Sequence, residues 1–316
     1  MRILVIGAGA VGGYFGGRLL EAGRDVTFLV RPARARRLAQ GGLNIESHAG
    51  AVRLPNPPTL LASEVRQPFD CILLSCKSYD LEDAIASFAP AVGDSSTIIP
   101  LLNGMRHLDL LDARFGAERV LGGRCLISAR LDDDGRIIHL SDLHELTFGA
   151  RQPFQAARVA EIAKEFAGCR FDARASDEIL TEMWEKWIFL ATMAGMTCLT
   201  RAALGDIVRS GGLDVSLSLL TECHAIASGA GGAPRETFMG NAVGRLSDPN
   251  STLTASMLGD LEHGGRTEAD HIFGDLLARQ QNPTPPETSL LRLAYLVLKS
   301  HEARLARERS ATPTPN

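Results

Sequence analysis

The sequence predicts an α/β protein: a domain over residues 1–174 built on a doubly wound parallel sheet, followed by an all-helical domain over 175–309. Three observations predict it. Short, near-continuous apolar runs, the pattern of strands buried on both faces, recur at 2–6, 25–30, 70–75 and 97–102. Gly7, Gly9 and Gly12 separate the first run from a helical apolar pattern over 11–20. Beyond 172–176 the pattern turns helical, with little strand signal.

The totals set the class. A chain of 316 residues is long enough for two domains with real cores. A hydrophobic content of 45% with 22% charged residues is that of a soluble globular protein. The formal net charge of −4 and pI near 6.1 argue against nucleic acid or an anionic membrane as the main partner. No apolar run reaches ~18 residues, so no membrane-spanning helix is expected. The N-terminus enters the first strand without a basic leader, so no secretory signal is expected and the location is cytoplasmic. The six cysteines are scattered, without C-x-x-C or Cys/His clustering. They read as thiols of a reducing compartment, with no metal site expected.

Strand, glycine turn and helix in that order form the dinucleotide-binding fingerprint of a Rossmann-type domain. Gly7 permits the tight turn, Gly9 lets the backbone approach a pyrophosphate, and Gly12 lets the helix pack close to the strand. Ala10 and Val11 open the helix, whose N–H groups and partial positive charge complete the cofactor-binding turn. The position just past the second strand faces the adenosine ribose. A carboxylate there selects NADH; this chain has Arg31, with Arg34, Arg36 and Arg37 close behind. A guanidinium fits a 2′-phosphate by charge and by forked geometry, so Arg31 predicts NADPH, the remaining arginines including ordinary solvated positions.

The rest of the first half reads in order. Residues 41–62 alternate in short pieces around Gly41-Gly42 and the proline-rich 55–58, suggesting small strands and turns. The strand at 70–75 ends at Lys77, and that at 97–102 ends at Asn103-Gly104. Strand C-terminal ends line the ligand crevice of an open parallel sheet, so Lys77 and Asn103 are candidates for cofactor and substrate contact. Short runs at 120–123, 125–129, 137–140 and 146–148 read as antiparallel additions to the parallel sheet. Residues 154–168 read as a helix and 169–171 as a last strand.

In the second half, Ser176 or Asp177 is the expected cap of a helix over 177–200, followed by helices at 206–229, 234–246 and 285–306. The polar, proline-containing stretch 310–316 is expected to be a disordered tail. Gly264-Gly265 offers a break after a helix carrying Ser256. Thr267 would then cap a second helix, with Asp270 at the capping-box position.

The chain resembles the ketopantoate reductase (2-dehydropantoate 2-reductase) family over nearly its whole length. The resemblance rests on the opening GAGAVGGYFGGRL, on CKSYD and LLNGM after two strands, and on Trp184-Glu185-Lys186-Trp187. It rests further on Ser256-Met257-Leu258-Gly259-Asp260 leading to Gly265-Arg266-Thr267-Glu268. It implies NADPH-dependent reduction of a small-molecule 2-keto acid, with Lys186 as general acid polarising the carbonyl. Glu268 is then the carboxylate that orients the lysine or bonds the nascent hydroxyl, and Ser256 a donor to the substrate carboxylate. In one straight helix Ser256 and Glu268 would stand ~18 Å apart and ~120° around, so these roles require the break at Gly264-Gly265.

Three positions depart from the family's pattern. Asparagines are expected four and eight residues after the lysine and three before the serine; Leu190, Ala194 and Leu253 stand there. Losing these contacts to a hydroxyl-bearing substrate costs ~1–3 kcal/mol each if its polar groups go unpaired. The resemblance implies conversion of 2-dehydropantoate to pantoate, in pantothenate and coenzyme A biosynthesis. The departures leave a second reading, a reductase or dehydrogenase of the same family acting on a different, more apolar keto or hydroxy acid. A third, a non-catalytic NADPH-binding sensor, needs neither Lys186 nor Glu268. The assembly expected is a monomer or homodimer.

Overall fold

The computed structural model describes residues 1–282 and 285–311. It divides into two compact units, the first comprising Met1–Leu102 with Arg106–Ile179, the second Asn103–Met105 with the chain from Leu180 on.

The first unit begins with β1 (Arg2–Ile6), α1 (Ala10–Glu21), β2 (Asp25–Leu29) and α2 (Pro32–Gly41). It continues through β3 (Leu43–Glu46), β4 (Val52–Leu54), β5 (Thr59–Leu60), β6 (Cys71–Leu74), α3 (Leu81–Phe88), β7 (Thr97–Pro100) and α4 (Arg106–Phe115). Five of these strands form a parallel sheet in the order β5-β2-β1-β6-β7. Every residue of β6 and β7 is buried, which is why their apolar runs lack alternation. Strand order reverses at β1, so the glycine turn that follows it stands at the point where such sheets bind ligands.

The remaining strands overturn one expectation. β8 (Gly122–Leu131), β9 (Ile137–Gly149) and, after α5 (Ala156–Phe166), β10 (Asp172–Ala175) do not extend the parallel sheet. With β3 and β4 they make a second sheet, in which β9 pairs β8 along one edge and β3 and β10 along the other. The four short runs of the sequence are two long strands interrupted by a bulge. Ile127 faces His144 and Ala129 faces His139, so residues 140–143 loop out, with Leu140 and Leu143 exposed. Val120 alone bridges to β7 of the parallel sheet. The last strand also lies later than expected. Residues 169–171 form a turn after left-handed Gly168, and Phe171 is apolar because it fills the core.

Helix α1 lies between the two sheets and owes this place to glycine. A Cβ on Gly16 would meet the Phe28 ring of β2 at 2.6 Å; on Gly17, Leu43 of β3 at 2.7 Å; on Gly13, Ile137 of β9 at 2.6 Å. With Gly12, these residues make the isolated helix about 2–4 kcal/mol worse than alanine would. The close packing of both sheets offsets that cost, and Tyr14, Phe15 and Leu19 are fully buried among them.

The second unit is helical. It contains α6 (Ile179–Thr200), α7 (Leu204–Arg209), α8 (Leu213–Gly229), α9 (Glu236–Leu246), α10 (Ser256–Glu262), α11 (Asp275–Ala278) and α12 (Leu290–Ala311). Ser176 Oγ accepts the Glu178 N–H (3.1 Å) ahead of α6. The single helix expected at 206–229 is broken at Gly211, which carries φ +83°. The last helix starts five residues late, because Ser289 Oγ caps it through the Arg292 N–H (3.0 Å). It runs on through Ala311, so the expected tail at 310–316 begins inside it; 312–316 lie outside the described residues. Among the described residues no helix is long and apolar enough to cross a membrane.

The second sheet carries a pH-sensitive contact with α1. The Tyr14 hydroxyl and His144 Nδ1 share a hydrogen bond (2.7 Å), and His139 stacks on His144. Burial, with His139 and Arg18, pushes the His144 pKa down against Asp172 and Asp142. Below about pH 6.5 the unfolded chain therefore takes up a proton that the folded chain resists, and stability falls as pH falls. The melting temperature should drop between pH 7.5 and 5.5, and His144→Gln should flatten that drop. An equally steep drop in the variant would place the sensitivity elsewhere.

Candidate active site

The cofactor-binding candidates, apart from Asn103, are in the first unit. Gly7 takes φ +90° and donates its N–H to Leu29 O (2.9 Å), turning the chain sharply off β1. Gly12 is held where a Cβ would lie 2.3 Å from Gly7 O and 2.1 Å from Ser75 Oγ. Ser75, just past β6, donates its hydroxyl to Ile6 O (2.9 Å), tying the ends of β1 and β6 together. Gly9 differs: a Cβ there would meet nothing within 4 Å. It opens α1 with extended backbone and no side-chain cap, so Ala10, Val11 and Gly12 begin a helix whose N-terminus is served by no side chain at Gly9. A turn tight at Gly12 and open at Gly9 fits a pyrophosphate on the helix N-terminus.

The arginines behave differently from one another. Arg31, 70% exposed, pairs with Asp80 (3.1 Å), whose hydrogen bond raises its pKa. Arg34 sits at the glycine turn itself, donating Nε–H to Ala8 O (2.9 Å) and Nη1–H to Gly135 O (3.0 Å). Its Nη2 is buried without a hydrogen-bond partner among the described residues. Burial and the nearby Arg37 push its pKa down. The sequence reading singled out Arg31 alone. The signal for Arg34 was its i+3 spacing, one helical turn on along α2. Lys77, half-buried, leads from β6 into the short turn Ser78–Asp80.

The catalytic and substrate-binding candidates Lys186, Glu268, Ser256 and Asn103 are in the second unit. Lys186 lies half-buried on α6, and the next residue, Trp187, is buried and donates Nε1–H to Ile272 O (3.0 Å). Ile272 belongs to a single π turn, Asp270–Gly274, that begins directly after Glu268 and Ala269. Such a widened turn is frequent at functional sites. The N–H groups of His271 (3.1 Å) and Ile272 (2.9 Å) both donate to the Glu268 carbonyl. The His271 ring lies against Gly104, where a Cβ would stand 3.1 Å from Cδ2. The π turn thus gathers the Lys186 helix, the Glu268 backbone and the Asn103–Gly104 corner.

Ser256 is anchored further along α6. Thr197 donates Oγ1–H to Met193 O (2.8 Å) and accepts the Ala255 N–H (3.5 Å), holding the start of α10. Eleven residues separate Thr197 from Lys186, about 16 Å of rise and only about 20° of rotation. Lys186 and the anchor of Ser256 therefore share one face of α6, with Leu190 about 40° and Ala194 about 80° around. Ser256 is exposed, Leu190 and Leu253 half-buried, and Ala194 wholly buried. The break on which the pairing of Ser256 and Glu268 depends is present: α10 ends at Glu262, and Gly264 carries φ +65°. Its expected cap is not. Thr267 turns its hydroxyl to Glu302 Oε1 (2.5 Å), and Glu268 precedes the helix as its cap position.

Gly7, Gly9, Ala10, Val11, Gly12, Arg31 and Lys77 thus fall in the first unit; Asn103, Lys186, Ser256 and Glu268 fall in the second.

Comparison with known proteins gives the family. The family profile described as "Ketopantoate reductase PanE/ApbA" matches residues 3–153, and "Ketopantoate reductase PanE/ApbA C terminal" matches residues 178–294. The chain belongs to the ketopantoate reductase family, a family of NAD(P)H-dependent oxidoreductases. It is 36% identical to the uncharacterized oxidoreductase YkpB of Bacillus subtilis, over 96% of this chain and 99% of that protein. It is 26% identical to the 2-dehydropantoate 2-reductase of Mesorhizobium japonicum, over 93% and 96%. The 2-dehydropantoate 2-reductase from Geobacter metallireducens has the same fold, with TM-score 0.85, 26% identity and coverage of 95% and 99%. D-mandelate dehydrogenase, solved with NADH and anilino(oxo)acetate, matches with TM-score 0.85 at 20% identity over 97% and 100%, a likeness of fold alone.

The two glycines separate binding from folding. Gly9→Ala should leave the melting temperature within about 2–4 °C of the parent, because its methyl enters open space. Fluorescence titration should nonetheless show at least about tenfold weaker NADPH binding, about 1.4 kcal/mol. Gly12→Ala should lower both. Unchanged affinity in Gly9→Ala would remove the turn from the cofactor site.

Proposed function

We propose that the chain reduces a 2-keto acid to a 2-hydroxy acid with NADPH. The observation that carries this reading is that the segments bearing Glu268, Ser256 and Asn103 are held, through neighbouring residues, to the helix of Lys186 and its π turn in one compact unit. Bound NADPH would supply the hydride to the keto carbon. Lys186 donates a proton to the carbonyl oxygen and stabilises the charge that develops there. Glu268 orients the lysine or bonds the new hydroxyl, Ser256 donates to the substrate carboxylate, and Asn103 and Lys77 contact cofactor or substrate. The choice of NADPH is supported by the cations beside the glycine turn. Arg31 stands where NADH-selective chains have a carboxylate, and Arg34, whose Nη2 has no hydrogen-bond partner among the described residues and which stands near Arg37, suits a 2′-phosphate.

2-Dehydropantoate is the substrate the family points to, and pantoate, on the route to pantothenate, the product. A second reading is favoured by Leu190, Ala194 and Leu253, apolar residues at positions where the family's pattern has asparagines. On this reading the preferred keto acid has a plain aliphatic or aromatic side chain. The fold shared with D-mandelate dehydrogenase is compatible with either.

NADPH oxidation followed across 2-dehydropantoate and 2-keto acids lacking its hydroxyl tests both. A tenfold or greater advantage in kcat/KM for the hydroxyl-free acids, about 1.4 kcal/mol, establishes the second reading over the first. Turnover of none, in folded protein, overturns both and favours a cofactor-binding sensor. Lys186→Ala should keep NADPH affinity and cut kcat by about 10²–10⁴-fold.

A further inference from the structure

Glu268 stands between two residues that the last helix holds. On one side, buried Thr267 donates Oγ1–H to Glu302 Oε1 (2.5 Å). On the other, Asp270 accepts the Tyr295 hydroxyl on Oδ1 (2.6 Å) and the Lys299 ammonium on Oδ2 (2.9 Å). Lys299 closes the network by donating to Glu302 Oε2 (2.7 Å). Tyr295, Lys299 and Glu302 are spaced four and three residues apart, so a single face of α12 presents all three groups.

This arrangement is not what local helix chemistry favours. Thr267 and Asp270 are the residue types, at the spacing, that would cap the following helix on their own. Both are turned to α12 instead, and Glu268 occupies the cap position. The backbone between them is fixed again by the two N–H bonds to the Glu268 carbonyl. A single exposed ion pair contributes little. Here three side-chain bonds from α12, linked by a fourth within it, and two backbone bonds to the Glu268 carbonyl act on residues 267–270, and one end of the network is buried.

We infer that the Tyr295–Lys299–Glu302 face of α12 is the positioning device for Glu268, fixing residues 267–270 so that its carboxylate is held where the reduction needs it. This rests on the role proposed above for Glu268. Lys299 neutralises two carboxylates that would otherwise repel each other beside the site. Thr267 transmits the position of Glu302 to the residue preceding Glu268. None of these groups touches the reacting atoms.

A double-mutant cycle tests it in the full-length enzyme, with single-turnover NADPH oxidation for slow variants. Thr267→Val keeps the buried volume and loses the hydroxyl; Lys299→Met is made at a partly exposed site and serves if the valine variant fails to fold. Each should lower kcat about ten- to a hundredfold with KM for NADPH unchanged, and Thr267→Ser should restore kcat. In a Glu268→Gln background neither should lower kcat further. Parental kcat in both single variants overturns the inference, as does an equal additional loss on top of Glu268→Gln, which marks general loosening. Parental kcat in Glu268→Gln alone overturns the role of Glu268 itself, a result distinct from the other two.

Discussion

Helix α1 is pressed by a sheet on each side, and the constraint on which the first unit depends is that side chains cannot occupy those contacts. Gly16 faces Phe28 and Val5 of the parallel sheet, while Gly13 and Gly17 face Ile137, Leu43 and Ile45 of the second. The same close approach continues at Gly12, against Gly7 O and Ser75. Packing and ligand geometry are therefore one problem: the contact that seats the helix also sets the turn at which, on the reading proposed above, a dinucleotide pyrophosphate would meet its N-terminus. Buried Arg18, reaching Gly50 O and Glu21, belongs to the same contact.

The second unit is organised along α6 in an analogous way, but by hydrogen bonds rather than by missing side chains. Trp187 holds the π turn and Thr197 holds the start of α10, at positions about 15 Å apart along the helix. A helix is a stiff ruler, so groups delivered by two separate chain segments are set at a defined separation against Lys186. The π turn adds what a regular α-helix would not: a widened backbone whose Ile272 carbonyl meets the indole N–H. Bonding that buried carbonyl avoids a penalty of about 1–3 kcal/mol.

Charge at the cofactor turn shows why residue type alone does not settle a role. Arg31 and Arg34 are three residues apart and chemically identical. One is exposed and neutralised by Asp80; the other is drawn onto the backbone of the glycine turn, donating to the carbonyl oxygens of Ala8 and Gly135. Asp80 reaches Arg31 from nearly fifty residues away, from the segment after β6 to that after β2. No local pattern reports such a partner.

The glycine fingerprint, the buried strands and the change to helical periodicity after 176 were written in local residue order, because each rests on a turn, a period or a φ preference spanning few residues. The break at Gly264 was legible for the same reason. The separation of the second sheet was not, since an apolar run does not say which strand it pairs with. Its bulge made two strands look like four. Nor was the partner of Thr267: it had the right spacing to cap its own helix, and Glu302, thirty-five residues on, took its hydroxyl. The sequence by itself determined which elements form and which chemical groups are available. Tertiary structure decided their partners, because a hydrogen bond or an ion pair depends on distance in space, and α1, α6 and α12 set those distances.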